Sequence, residues 1–470
     1  MKYLLIRKKT YLSIIGLIFI INFANIKSSI ALNIDTLPTL SSQDSGDTSL
    51  PDCRRQLISD KNELSLLSAV CIAVQRYPTI SSAIASYAGQ VDMVDAARAG
   101  YLPQVSFGAQ TTKGSGNKEG YQSTPKLTMQ QRLYDFGKVS SAIDQAEGSA
   151  TRQQALLLEA IDNIIYQSGN AVIEVERLEE LEQKTNAMIV GIKRVVEIAK
   201  SRANAGISTQ SDYIQSQSRL EAAESSLLTV RMQLDAARIR LATYLGREYK
   251  NVQLAPMSNK IFNNTVFKFK LDTDQIPSIM LSKADQSIAK AQLKAAEASL
   301  YPTISAVGSV EKTIHGNNPN TGKTRGNYNY IGLSIEQSIY SGGENTAKIK
   351  SAQRMLNASK YDLEAVMLNL NDRAQSLKVN ILGIESRLNI IDQHIASISK
   401  TRVLYQEQYT LGSRPILDLL NAEQEIFQAE SEKVNALNDM WSYYIQYIVV
   451  TGNARRLFNL NAIIQPVLGN

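Results

Sequence analysis

Two halves of this 470-residue chain carry the same punctuation. Leu102-Pro103 is answered by Tyr301-Pro302, and Leu133-Tyr134-Asp135-Phe136-Gly137 by Ile339-Tyr340-Ser341-Gly342-Gly343. Ala205-Gly206-Ile207 is answered by Leu411-Gly412-Ser413, and Tyr244-Leu245-Gly246 by Val450-Thr451-Gly452. The offset is 199 residues at the prolines and 206 at the three later glycine landmarks. A constant offset with one jump means two copies of one structural unit, differing by an insertion between Pro302 and Gly343.

Each copy reads as helix, strand, loop, strand, very long helix, turn, helix. The first copy covers 64–252, with strands at about 103–113 and 124–135 and a helical hairpin over 137–246. The second covers 276–452, with strands at about 302–313 and 328–340 and a hairpin over 343–450. Residues 253–275 link the copies, and a tail from Asn453 to 470 is expected to pack around the waist of the rods. The leading helices, roughly Leu64 to Gly100 and Ile276 to Leu300, stop before Pro103 and Pro302, because proline disfavours helical geometry in the residue preceding it.

Val105, Phe107, Ala109 and Thr111 alternate along the first strand, with Leu127, Met129, Gln131 and Leu133 on the next. Ile304, Ala306, Gly308 and Val310, then Ile331, Leu333, Ile335, Gln337 and Ile339, repeat the pattern. Period-two alternation predicts a sheet apolar on one side only. From Gly137 to Gly206 there is no proline, and a continuous helix of that length reaches about 100 Å. Leu178, Leu181, Thr185, Met188, Ile192, Val195 and Ala199 step by three and four, as do Leu388, Ile391, Ile395, Ile398, Arg402, Tyr405 and Tyr409. That spacing is the seam of a coiled coil. Gly206 and Gly412 break the rods.

Residues 1–31 read as a secretory signal, with Lys2, Arg7, Lys8 and Lys9 ahead of an uncharged apolar run and small residues at Ser29-Ile30-Ala31. Residues 32–63 form an N-terminal extension. Five of the 50 basic residues fall in the signal, leaving 45 against 44 acids, so the charge gives no support to nucleic-acid binding. Cys53 and Cys71 could form one disulfide in an oxidising compartment, or stay as one buried and one free thiol.

Chemistry-bearing signals do not cohere. Thr321-Gly322-Lys323-Thr324 lacks the glycine a phosphate loop needs five positions before Gly322, where Asn317 stands. His315 and His394 are too far apart to form a paired metal motif. Leu220, Leu227, Leu234 and Leu241 recur every seven residues as a packing stripe, and Trp441, Tyr443, Tyr444 and Tyr447 read as aromatic core between helices. No nucleophile, acid pair or cofactor fingerprint rises above chance, so no enzyme, cofactor or metal is expected.

Long hairpins cannot bury their apolar stripes alone, and four strands cannot close a barrel. In lipid every backbone polar group must be paired, so an open sheet is excluded. Twelve strands from three chains would close and remove all edges. The fold class expected is mostly α with a transmembrane β-barrel: two tandem repeats per chain, a homotrimeric twelve-stranded barrel and a coiled-coil tunnel of helices. The rival reading is a coiled-coil adaptor or adhesin without a pore.

Tyr409-Thr410-Leu411-Gly412-Ser413-Arg414-Pro415-Ile416-Leu417-Asp418-Leu419-Leu420-Asn421-Ala422 resembles the second-repeat signature of the TolC family of outer-membrane exit ducts, and Asn204-Ala205-Gly206-Ile207 with Ser211-Asp212 resembles its first-repeat turn. The resemblance runs from about Leu64 to Gly452. It implies a passive homotrimeric duct in the outer membrane of a Gram-negative bacterium, continuous with a periplasmic tunnel. Its implied partners are a periplasmic adaptor (membrane fusion protein) and an inner-membrane ABC or resistance-nodulation-division transporter, serving type I secretion or drug efflux. It implies a periplasmic gate made by Asp212, Tyr409 and Arg414, with the alternative of a plain surface ion pair worth ~0–1 kcal/mol. Asp418 matches one acidic position of a constriction ring, whereas the second falls on Asn421, which implies weaker cation block.

Overall fold

The computed structural model describes residues 63–114, 120–246, 253–254, 273–318, 320–458 and 460. The signal segment, the extension up to residue 62, Cys53, most of the 253–275 linker and most of the tail lie outside the described residues. Among the described residues no helix is long and apolar enough to cross a membrane.

The leading helix of the first copy is two helices, α1 (Leu66–Arg76) and α2 (Pro78–Arg98), rather than one. Pro78 explains the break: it takes the first position of α2 and drives Tyr77 to φ −71°, ψ 125°, an extended conformation. Strands β2 (Gln104–Gly114) and β3 (Gly120–Tyr134) follow, then α3 (Lys138–Asn204) and α4 (Gln210–Leu245). The second copy runs α5 (Pro277–Ala298), β5 (Thr303–Lys312), β6 (Asn327–Glu336), α6 (Glu344–Thr410) and α7 (Ile416–Val450), and ends in the short α8 (Ala454–Leu457). A minor parallel pair joins β1 (Glu63–Leu64) to β4 (Gln253–Leu254). α3 and α6 are each 67 residues, about 100 Å of helix.

Asp135 starts α3 in place of an ordinary N-cap, accepting from the Gly137 amide at 3.0 Å and the Val139 amide at 2.8 Å. Gly137 and Gly343 stand before the two rods at φ 97° and 87°, a left-handed conformation that costs glycine nothing. β3 begins four residues before the expected 124 and carries Pro125 within it. The β3–β5 ladder starts at Lys126↔Glu311, just beyond the proline, so it makes no demand on the missing N–H. β6 stops at Glu336 instead of 340, because its partner Thr303 follows Pro302, which has no N–H to extend the ladder. The second hairpin connection, 313–326, is longer than the first, 115–119, which places the insertion between the strands.

The four strands form one antiparallel sheet in the order β2-β3-β5-β6, joining both copies through β3 and β5. The register puts Val105, Met129, Gly308 and Ile331 in one row, and Phe107, Leu127 and Val310 in the next. Gln104, Gln130 and Val307, then Ser106, Thr128 and Ser309, line the other face. The apolar face is bare: Phe107 is 73%, Leu333 72% and Ile331 90% exposed. A soluble sheet would cover such a band, since burying one large aliphatic side chain contributes ~1.5–3 kcal/mol. Among the described residues both outer strands, β2 and β6, keep a free edge.

α3 is the central rod, packed against α1, α2, α4, α5 and α7, whereas α6 packs on α5 and α7. The α3 seam is buried from Leu178 through Thr185 and Met188 to Ala199, with Leu181 half-buried. Leu220, Leu234 and Leu241 of α4 are buried, while Ile214, Leu228, Met232 and Ile239 are exposed. α6 likewise exposes Leu368, Val379 and Ile390, eleven residues apart, which is three helical turns. Trp441, Tyr444 and Tyr447 are buried in α7. Cys71 is buried in α1 and is not a free thiol. The tail reaches inward through Arg455, which donates to Asp162 of α3 at 2.5 Å and to the Gln275 carbonyl.

Candidate functional site

The two rods end in matching turns. Gly206 has φ 68° and Gly412 φ 77°. The Ile207 amide donates to the Arg202 carbonyl at 2.9 Å, and the Ser413 amide to the Gln408 carbonyl at 3.0 Å. These six-to-one bonds close each helix with a glycine one residue past its C-cap, Ala205 or Leu411. Thr209 then caps α4, its hydroxyl accepting from the Asp212 amide at 3.3 Å. Pro415 precedes α7 in extended geometry. Beneath the turns Met188, Ile192, Val195 and Ala199 of α3 meet Leu220 of α4, Tyr409 of α6, and Ile416, Leu419 and Leu420 of α7 in one apolar core.

Tyr409 is the polar member of that core, 3% exposed. Burial, and next the Asp212 carboxylate, push its phenol above the ordinary value, while Arg202 and the Ser208 hydroxyl oppose the rise. The Tyr409 and Ser208 hydroxyls are buried, and neither lies in a well-aligned hydrogen bond. Arg202 sits 5.2 Å over the Tyr409 ring and donates to the Thr410 carbonyl at 2.7 Å. It is the cation that ties the first-repeat turn to the second.

Asp212 thus acts on Tyr409 through its charge and not through a hydrogen bond, and Arg414 does not join them within one chain. Its guanidinium donates to the Asp418 carboxylate at 2.8 Å and the Gln408 side-chain oxygen at 2.7 Å, and it stacks 4.0 Å above the Tyr405 ring. Asp418 lies one turn further along the start of α7, the natural reach of an i,i+4 pair. Asp418 thus carries its own counter-ion, and Asn421 is exposed on the same helix without a charge.

Arg202 escaped the sequence reading because nothing marked it beyond its nearness to Gly206. A second group also escaped: Glu423 of α7, 5% exposed, which meets Arg402 of α6 at 3.5 Å. Two signals were available. Arg402 interrupts an apolar seam, and a cation there needs an acid opposite. Gly191 sits within the long α3 helix, where glycine costs about 1 kcal/mol against alanine.

Known proteins resemble this chain over most of its length. A family model described as "Outer membrane efflux protein" matches residues 71–247 and 274–451, one segment per repeat. The chain is 23% identical over 425 residues to "Outer membrane protein TolC" of Escherichia coli, covering 84% of each. It is 22% identical over 408 residues to "Alkaline protease secretion protein AprF" of Pseudomonas aeruginosa, covering 82% of this chain and 83% of the relative. The crystal structure of the outer membrane protein VceC from Vibrio cholerae superposes with a TM-score of 0.72 at 18% identity, covering 82% of this chain and 96% of that one.

Proposed function

The chain belongs to the outer membrane efflux protein family, and from that membership we propose that three copies assemble a passive duct closed by a twelve-stranded barrel. The protein is an outer-membrane channel with a periplasmic helical tunnel, and it serves efflux or type I secretion. One observation carries the trimeric reading. Among its described residues a single chain leaves both sheet edges unpaired, its apolar sheet face bare and apolar stripes uncovered on α4 and α6. In lipid the bare face is an asset and the free edges are not, so the edges must meet those of sister chains. The stripes on α4 and α6 face the same requirement in water.

The four-helix end at Gly206 and Gly412 is the gate in this reading. Arg202 ties the two turns of one chain at Tyr409 and Thr410, Asp212 stands close enough to act on the Tyr409 phenol, and Arg414 is free to exchange Asp418 for an acid of a sister copy. A periplasmic adaptor and an inner-membrane transporter, ABC or resistance-nodulation-division, would dock at this end and supply both cargo and energy. The name of the AprF relative, a protease secretion protein, supports protein cargo as one use.

The test is the state of the purified protein. It should leave the outer-membrane fraction in detergent as a heat-modifiable trimer and form discrete, small-conductance pores in planar lipid bilayers. A stable monomer in plain buffer, with no affinity for lipid, would end the proposal.

A further inference from the structure

Along the interface between the repeats, above the turns, most polar ties are half-exposed. Lys184 faces Glu430 at 3.6 Å and Arg177 donates to Asn435 at 3.1 Å. Glu423 is different. Its side chain is 6% exposed and lies directly on the backbone of α3 at Gly191. A Cβ placed on Gly191 would stand 2.3 Å from one Glu423 carboxylate oxygen and 2.7 Å from the carboxyl carbon, so the carboxylate end of that side chain would have to swing out of its place. The glycine is therefore a notch cut to the shape of this carboxylate.

The surrounding charges fit that reading. Arg402 of α6 approaches one oxygen at 3.5 Å, and its own Nε is buried without a hydrogen-bond partner. Arg194, one turn beyond Gly191 on α3, also stabilises the ionised acid, against a burial effect that pushes Glu423 upward. A buried carboxylate persists only where cations and close packing hold it, and removing one side of such a group leaves the other uncompensated. Three helices from both repeats thus meet at one acid, five residues along α7 from Asp418.

Resting on the reading of the chain as a gated duct, we propose that Glu423 is a positioning residue that locks α7 to α3 through the Gly191 notch and to α6 through Arg402, holding the hairpin end in its closed packing. Opening requires α7 to leave α3, and the carboxylate must then come out of the notch and away from its cations. The lock lies above the turns and shares no residue with the ties there.

The experiment is single-channel conductance of purified full-length trimers in planar bilayers, with trimer heat-stability on gels as the companion readout. Glu423→Gln and Gly191→Ala should each raise conductance several-fold over wild type while heat-stable trimers persist. Gly191→Ala should add nothing in a Glu423→Ala background, because the methyl then has no carboxylate to displace. Should Glu423→Gln yield no trimer, Glu423→Asp keeps the charge but withdraws it from the notch, and it carries the same expectation. Wild-type conductance in these variants, or an equal effect of Gly191→Ala with and without the carboxylate, overturns the lock while leaving the duct intact. Wild-type trimers that form no pore would overturn the duct reading itself.

Discussion

Arg455→Met offers a sharp test of how the C-terminal segment is held. Arg455 and Asp162 have side chains only 3% and 6% exposed and lie 2.5 Å apart, and Asp162 Oδ1 has no hydrogen-bond partner. Burial lifts Asp162 to about 7 even though Arg455 opposes the rise. Because the folded value exceeds the unfolded ~3.9, the folded chain holds an extra proton between those limits, and stability falls as pH rises through them. Removing Arg455 takes away the main opposing charge and moves the folded value higher still. Below pH 7 wild type and variant lose stability in parallel. Above it only the variant continues to lose, so the gap should widen by up to about 1.4 kcal/mol per pH unit. The assay is the thermal midpoint of helical circular dichroism of detergent-solubilised protein at pH 6, 7, 8 and 9. Asp162→Leu with Arg455→Met should recover most of the midpoint and flatten the pH dependence, since an apolar pair of similar volume needs no counter-ion. A gap constant from pH 7 to 9, or an Arg455→Met loss no greater than that of the exposed Arg456→Met, would refute the argument.

Lys at Leu333, on the bare apolar face, should cost ~2–4 kcal/mol in the membrane and reduce outer-membrane trimer yield, whereas Lys at the neighbouring Ser334 should be tolerated, as read by fractionation and gel mobility. Asn421→Asp should tighten block by an added trivalent cation in bilayer recordings, because it restores a second acid per chain beside an Asp418 already paired with Arg414. Tight block of the wild type, lost only on changing Asn421, would contradict that assignment. Asp135→Ala should lower the thermal midpoint by the equivalent of ~1 kcal/mol, since it frees the Gly137 and Val139 amides at the start of α3 at once.

Much of the architecture could be read from the residues because it is built on strict local rules. Left-handed glycines at 137, 206, 246, 343, 412 and 452 end or begin each rod, and period-two alternation named the strands. Where such rules compete, local pattern alone does not decide. Pro78 divides the first helix because its effect on Tyr77 outweighs an apolar pattern that continues across it, and Pro125 is carried inside β3 because the neighbouring ladder starts beyond it. The candidate site was half legible. The glycine turns follow from spacing, whereas Asp212, Tyr409 and Arg414 follow from the family resemblance alone, and within one chain Arg414 in the turn pairs with Asp418 of α7 rather than with Asp212.

By itself the sequence determined that the chain is a doubled unit, that its rods are long and seamed, and that its sheet has one apolar face, because these depend on residues near one another in order. Only the tertiary structure decided that the apolar face is left bare, that Arg202 reaches the opposite turn, and that Gly191 receives the carboxylate of Glu423. Those facts join residues hundreds of positions apart. What settles them is which rods lie side by side and in what register, and no local pattern of residues encodes that distance.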